Sequence, residues 1–250
     1  MEEQSKKKTI DLVIFVAVFL LTSSIPFSLF IPDPELVYWL NVTLRLAFFL
    51  FAFFFLRKSG LARPAFTKPN KRTILLSPFL FLCLSNFMVA WIQGSPVAGT
   101  TSLIPLVKAA SFYLLVAVGE ELVFRAVVYS EFRKRWPLWK AVVISSLIFA
   151  LPHLLNATSW ASLGTSALQV GYSFFLGLIL AIVYEASGNI IWAMALHFLF
   201  DFLNGYLASQ LFPLPWELTF YVTNVLVYVS LALYFLLIRP ALFRKEKQLP

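Results

Sequence analysis

His153 and His197 are the only histidines in the 250 residues, and both fall inside long apolar runs. Glu120, Glu121, Arg125 and Asp201 share that setting. An ionisable side chain inside a membrane is costly unless it is paired or faces a watery cavity, so each marks a candidate site. Arg45, Lys108 and Glu185 are also embedded. Arg45 and Lys108 lie close enough to run ends to snorkel, and Glu185 adjoins the turn Ser187-Gly188-Asn189, where water reaches it. Glu121 and Arg125 stand at i and i+4, the spacing of a neutralising pair on one helix face. Glu120 is turned about 100° from Glu121 and addresses something else. His197 and Asp201 repeat the i, i+4 spacing, so Asp201 can orient the imidazole or present its own oxygens beside it.

A carboxylate beside imidazoles suits the activation of water, either as a general base or around a divalent metal that lowers the pKa of bound water. Hydrolysis is the natural chemistry. HExxH is absent, yet Glu120, His153 and His197 match the composition of a catalytic zinc site with one open position. Serine chemistry has only Gly171-Tyr172-Ser173 to draw on, which is not a nucleophile-elbow sequence. The single cysteine, Cys83, has no partner for a disulfide or a thiolate cluster and reads as a small hydrophobe.

These residues must be positioned by membrane helices. The chain is 60% hydrophobic and 13% charged, against about 45–50% and about 25% in soluble domains. Its apolar runs repeatedly reach the roughly 20 residues that cross a bilayer as helix. They predict an all-α, polytopic transmembrane bundle with spans near 10–31, 36–56, 73–93, 102–132, 137–155, 160–186, 189–210 and 215–238. The fourth run exceeds what a membrane requires, so its last turns should protrude into water. No small-x-small cleavage site follows the first run, which favours an uncleaved helix over a signal peptide. The segments 1–100, 101–210 and 211–250 read as N-terminal helices, catalytic core, and last helix with basic tail, within one structural domain.

Basic residues alternate between loops as the positive-inside rule requires. Lys6–Lys8, the Arg57–Arg72 loop, Arg133 to Lys140, and the tail with Arg239, Arg244, Lys245 and Lys247 hold them. The intervening loops, around Asp33 and Glu35, Gly94 to Thr101, Asn156 to Ser159 and Pro213 to Glu217, hold none. Both termini are therefore expected in the cytoplasm, with the cell membrane as the location. Trp39, Trp91, Trp136, Trp139, Trp160, Trp192 and Trp216 fall near span ends, where amphipathic rings prefer to sit. The net charge of +8 is spread over loops facing anionic lipid, which argues for a lipid partner and against nucleic acid. At about 1.5 Å rise per residue, Glu120 lies about 20 Å before Arg133, His153 about 20 Å beyond Lys140 and His197 about 12 Å beyond Asn189. The fourth, fifth and seventh helices are thus expected to converge on one cavity.

Glu120-Glu121-Leu122-Val123-Phe124-Arg125 resembles the EExxxR motif of the CPBP family, the CAAX protease and bacteriocin-processing membrane enzymes also called ABI proteins. Phe149-Ala150-Leu151-Pro152-His153 resembles its FxxxH motif, and His197-Phe198-Leu199-Phe200-Asp201 its Hxxx(N/D) motif. Gly171, Gly177 and the run Ser187-Gly188-Asn189-Ile190-Ile191-Trp192 resemble its Gly-rich stretch and small-residue turn. The likeness covers roughly residues 110–205. It implies a glutamate-dependent intramembrane endopeptidase open to the cytosolic side, acting on a membrane-bound or lipidated, including prenylated, peptide. It further implies that Glu120 activates water with His153 as partner, that His197 and Asp201 stabilise the oxyanion, and that Glu121, Arg125 and Phe149 support them. Eukaryotic prenyl-protein proteases carry Asn where this chain has Asp201. A carboxylate donates no hydrogen bond unless protonated, so Asp201 is left to orient His197 or to assist a metal. Zinc dependence and a metal-free route both fit. The competing readings are a non-proteolytic bacteriocin-immunity or peptide-binding protein and a proton-coupled carrier, since Glu/His chains also relay protons.

Overall fold

The computed structural model describes residues 2–68, 71–97, 99–100, 102–157, 160–212 and 218–242, without the side chains at 2, 71–72, 160–162 and 218–223. Thr101, Ser159, the loop Pro213 to Glu217 with Trp216, and the tail residues Arg244, Lys245 and Lys247 lie outside the described residues. So do the side chains of Lys71, Arg72 and Trp160.

Among the described residues there is no β-strand, and eight helices are long and apolar enough to cross a membrane. They are α1 (Glu2–Ser23), α2 (Pro34–Ser59), α3 (Thr73–Ile92), α4 (Leu103–Arg133), α5 (Leu138–Asn156), α6 (Trp160–Ser187), α7 (Ile190–Leu211) and α8 (Leu218–Leu242). The protein is a multi-pass membrane protein. Helix α1 begins at Glu2 rather than near residue 10, because its lysine-rich start is an adequate helix former in water even though it cannot enter lipid. Helix α8 likewise runs on to Leu242 and takes Arg239 into its last turn.

Local sequence fixes the helix ends. Asp33 caps α2 by accepting from Glu35 N at 2.9 Å, with Pro34 supplying a helix-ready φ at the first position. Gly60 closes α2 at φ +66, a left-handed conformation that only glycine adopts without strain.

Several spans change helix type within their length. Residues Lys71–Leu84 form a 3₁₀ helix containing Pro78, followed by α-helix over Ser85–Ile92. Helix α5 tightens to 3₁₀ over Leu151–Asn156, where Pro152 withholds an N–H from the α pattern. Two runs open instead to the wider π form: Leu122–Tyr129 in α4 and Phe200–Leu207 in α7. Such turns concentrate at functional sites.

The chain divides into two compact units, Met1–Phe66 with Leu114–Ile182, and Thr67–Tyr113 with Val183–Pro250. The first is cored by phenylalanines. Phe15 and Phe19 of α1, Phe48 of α2, Val123, Phe124 and Val127 of α4 and Phe149 of α5 form one buried cluster. Lipid supplies no hydrophobic drive between apolar helices, so shape and edge-to-face ring contact must provide the cohesion. Phe48 meets Phe19 at 5.1 Å, Phe19 meets Phe124 at 5.7 Å and Phe124 meets Phe149 at 5.3 Å, all edge-on. Glu131, buried at the end of α4, accepts from Ala62 N at 2.7 Å and from Lys134 Nζ at 2.6 Å, pinning the chain beyond α2.

The second unit is joined by polar contacts. Asn204 of α7 accepts through Oδ1 from Ser85 Oγ at 3.1 Å and from Asn86 N at 2.7 Å, while its carbonyl accepts from Asn86 Nδ2 at 2.9 Å. Ser85 Oγ also contacts Asn224 Oδ1 of α8 at 2.9 Å, and Tyr234 Oη donates to Leu75 O at 2.9 Å. The turn between α6 and α7 is clasped by Thr67. Thr67 N donates to Gly188 O and Thr67 Oγ1 to Ser187 O, while Asn189 Nδ2 donates to Thr67 O. Gly188 has φ +63, and a Cβ there would stand 2.7 Å from Thr67 Oγ1, so the turn requires glycine twice over.

Candidate active site

The EExxxR residues begin at the end of the regular α-helix and continue into the wide turns of α4. Glu121 and Arg125, 0% and 1% exposed, form the expected pair, Arg125 Nη1 donating to Glu121 Oε1 at 2.7 Å. Burying such a pair pays off little in itself, but removing one partner typically costs about 3–5 kcal/mol. Two further contacts hold the guanidinium. Its Cζ lies 4.1 Å over the Phe149 ring, and Nη2 reaches Gly177 O at 3.4 Å. Phe149 in turn meets the His153 ring edge-on at 5.8 Å. Arg125 therefore connects α4, α5 and α6 and, through Phe149, bears on one of the two imidazoles.

Gly177 makes this approach possible. A Cβ on it would stand 3.0 Å from Ser146 Cβ, 3.1 Å from Phe149 Cδ1 and 3.2 Å from Ser146 Cα. Gly171, six residues earlier on α6, has open space around it. Of the two glycines in the Gly-rich stretch, only Gly177 is needed for helix contact.

Glu120, turned about 100° from Glu121 by helical phase, is half-buried. It lines a small cavity of about 10 Å³, room for roughly one water, with Arg45, Phe19, Phe48, Phe49 and Gly119. Arg45 lies within electrostatic reach of Glu120 and donates through Nη1 to Asn41 O and Asn41 Oδ1, both at 3.3 Å. Arg45 thus reaches back along α2 towards its start and also lines the cavity of the candidate base. His153 is half-buried on the 3₁₀ turn of α5.

His197 and Asp201 belong to the second unit. His197 is 2% exposed, and its Nε2 lies 3.5 Å from Asp201 Oδ2, an electrostatic contact longer than a good hydrogen bond. Asp201 sits in the first wide turn of α7 and is half-buried. Its charge also reaches Cys83 and Tyr113. Cys83 donates its thiol to Leu196 O at 3.6 Å, which suits a structural role beside His197. Phe198, Phe202, Tyr206 and Tyr113 form a ladder of ring contacts at 5.5, 6.1 and 6.2 Å along the same stretch. Asn204, which the sequence reading passed over, anchors this wide turn to α3. A polar side chain seven residues beyond His197 in an apolar run was the available signal.

Residues 101–203 match the family described as Rce1-like, type II CAAX prenyl endopeptidase. This segment is of the CPBP family. The Rce1-like segment starts just before α4 and ends within the wide turn of α7, so it takes in Glu120, Glu121, Arg125, Phe149, His153, His197 and Asp201. Arg45, Ser85 and Asn86 lie outside it. An uncharacterized 24.3 kDa protein of Escherichia coli is 28% identical over 89 residues, 35% of this chain and 37% of that protein. The chain thus matches little more than a third of that relative's length. Among the described residues, no three His, Cys, Asp or Glu side chains form a group able to hold a metal ion.

Proposed function

We propose that this protein is an intramembrane endopeptidase of the cell membrane, with both termini cytoplasmic. It hydrolyses a peptide bond in a membrane-bound or lipidated peptide, a prenylated C-terminus among the fitting substrates. The observation that carries the proposal is the clasp of Glu121, Arg125 and Phe149. It neutralises Glu121 and joins the first motif to the imidazole of the second.

In this reading Glu120 accepts a proton from water while His153 holds that water, and the resulting hydroxide attacks the scissile carbonyl. His197 acts as the imidazolium: its Nε2–H faces the Asp201 carboxylate, which stabilises the positive ring, and the other ring N–H donates to the developing oxyanion. As the tetrahedral intermediate collapses, protonated Glu120 returns its proton to the leaving amine. Water is divided between the new carboxyl and amino termini, and the side chains finish as they began. Zinc, if bound, would polarise the water and the carbonyl, with Glu120, His153 and His197 as donors.

The test is cleavage of a prenylated reporter peptide by purified protein in lipid nanodiscs. Glu120→Gln, His153→Ala and His197→Ala should each lower turnover by about 10²–10⁴-fold, the range lost with a general acid–base group. Wild-type turnover in all three would overturn the assignment of these residues, whereas no cleavage by the unaltered protein would favour a binding or immunity protein. Chelation separates the routes. Activity lost to chelator and restored by Zn²⁺ assigns the step to metal; unchanged activity assigns it to Glu120 alone.

A further inference from the structure

Helices α1 and α2 carry a second polar feature, away from the Glu120 cavity. A groove of about 540 Å³ between them is lined by Lys7, Asp11, Phe51, Phe54, Phe55, Lys58 and Ser59. The two helices run in opposite directions, so the start of α1 and the end of α2 share one membrane face. The polar residues therefore form a rim and the phenylalanines a wall that continues into the span. Asp11 lines the groove, and its Oδ2 is buried with no hydrogen-bond partner among the described residues. Neighbouring cations are directed elsewhere: Arg57 lies over the Phe53 ring at 4.0 Å, and Lys8 extends towards Gly60. Lys7 and Lys58, both exposed, remain at the rim.

This charge pattern selects its occupant. A simple anion would satisfy Lys7 and Lys58 but meet Asp11 as a like charge; a simple cation would do the reverse. An apolar chain alone would leave the buried carboxylate oxygen without a donor, which is costly. One common membrane component carries a phosphate, a primary ammonium a few bonds away and long apolar chains. We propose that this groove is a binding site for a phosphatidylethanolamine-type phospholipid, its phosphate held between Lys7 and Lys58, its ammonium donating to Asp11, and one acyl chain lying along Phe51, Phe54 and Phe55. Phosphatidylcholine offers the same phosphate and chains, but its quaternary nitrogen has no N–H to donate.

The experiment is native mass spectrometry of the full chain in mild detergent, titrated with phosphatidylethanolamine, phosphatidylcholine or phosphatidylglycerol of identical acyl chains. Phosphatidylethanolamine should bind about tenfold more tightly than phosphatidylcholine, about 1.4 kcal/mol, because it alone can make the charge-assisted hydrogen bond to Asp11. Asp11→Asn should erase that preference, while Lys7→Gln with Lys58→Gln should weaken both lipids alike. Asp33→Asn, at the far end of α2, should change neither. Equal binding of the two zwitterionic lipids overturns the proposal, as does a preference that survives Asp11→Asn. Stronger retention of phosphatidylglycerol than of phosphatidylethanolamine also overturns it, in favour of a plain anion site. Circular dichroism and monodisperse elution of each variant separate lost lipid from lost fold.

Discussion

Replacing Gly177 with alanine, with Gly171→Ala as its reference, isolates the closest helix approach in the candidate site. Both glycines lie in the interior of α6, so both substitutions gain the same intrinsic helix propensity, up to about 1 kcal/mol. That term cancels in the difference. What remains at Gly177 is a methyl group placed 3.0 Å from Ser146 Cβ and 3.1 Å from Phe149 Cδ1. Neither neighbour can yield easily: Ser146 presents its own Cα at 3.2 Å, and Phe149 is held by the Arg125 cation and the Phe124 ring. Overpacking of this kind costs about 1–3 kcal/mol. Gly177→Ala should therefore be less stable than Gly171→Ala by that amount in reversible unfolding from mixed micelles. Turnover should also fall further in Gly177→Ala, because a displaced Phe149 no longer supports His153. Equal stabilities within a few tenths of a kcal/mol would refute the close contact, and with it the account of how α4, α5 and α6 are held.

Glu121→Gln leaves the buried Arg125 without its counter-charge and should cost about 3–5 kcal/mol in the same assay. Glu121→Leu combined with Arg125→Met should recover most of that loss in stability without restoring turnover; a double variant no more stable than the single would contradict the pairing. Asn204→Ala removes the acceptor for Ser85 Oγ and Asn86 N, and should destabilise by about 1–3 kcal/mol, measured against Asn204→Asp. Arg45→Met should lower kcat by up to about a hundredfold through a misplaced Glu120, with KM little changed and partial recovery in Arg45→Lys. A change confined to KM would instead make Arg45 a substrate-binding residue.

The eight spans were legible because each is a predominantly apolar run of sufficient length, a property that survives any detail of packing. Lys6 to Lys8 show the limit of that signal: hydropathy marks where α1 enters lipid, while the helix itself begins in water at Glu2. The pair Glu121 and Arg125 was legible because i, i+4 geometry is local to one helix. The nearness of Arg45 to Glu120 was not, since it depends on which helix lies beside α2. Phe149 was accessible only through its resemblance to a family motif. Nothing in its own sequence neighbourhood distinguishes it from the other 26 phenylalanines, and its role comes from the cation it faces.

The wide turns of α4 and α7 show why the motif residues need partners outside their own helices. An i→i+5 run departs from the favoured α geometry and persists where the surroundings hold it. In α4 the hold is Arg125, the fourth residue of the run, fixed by Glu121 before it, Phe149 on α5 and Gly177 on α6. In α7 it is Asn204, the fifth residue of its run, fixed by Ser85 and Asn86. Glu120 and His197 both precede the widened segment, on regular helix, while Arg125 and Asn204 lie within it. Glu120 and His197 are thus carried by regular helix, while Arg125 and Asn204, both buried and hydrogen-bonded, hold the wide turns that follow. A conservative change at a supporting position can therefore disturb the site as much as a change at a reacting one, by releasing the wide turn and rotating everything beyond it relative to the residues before.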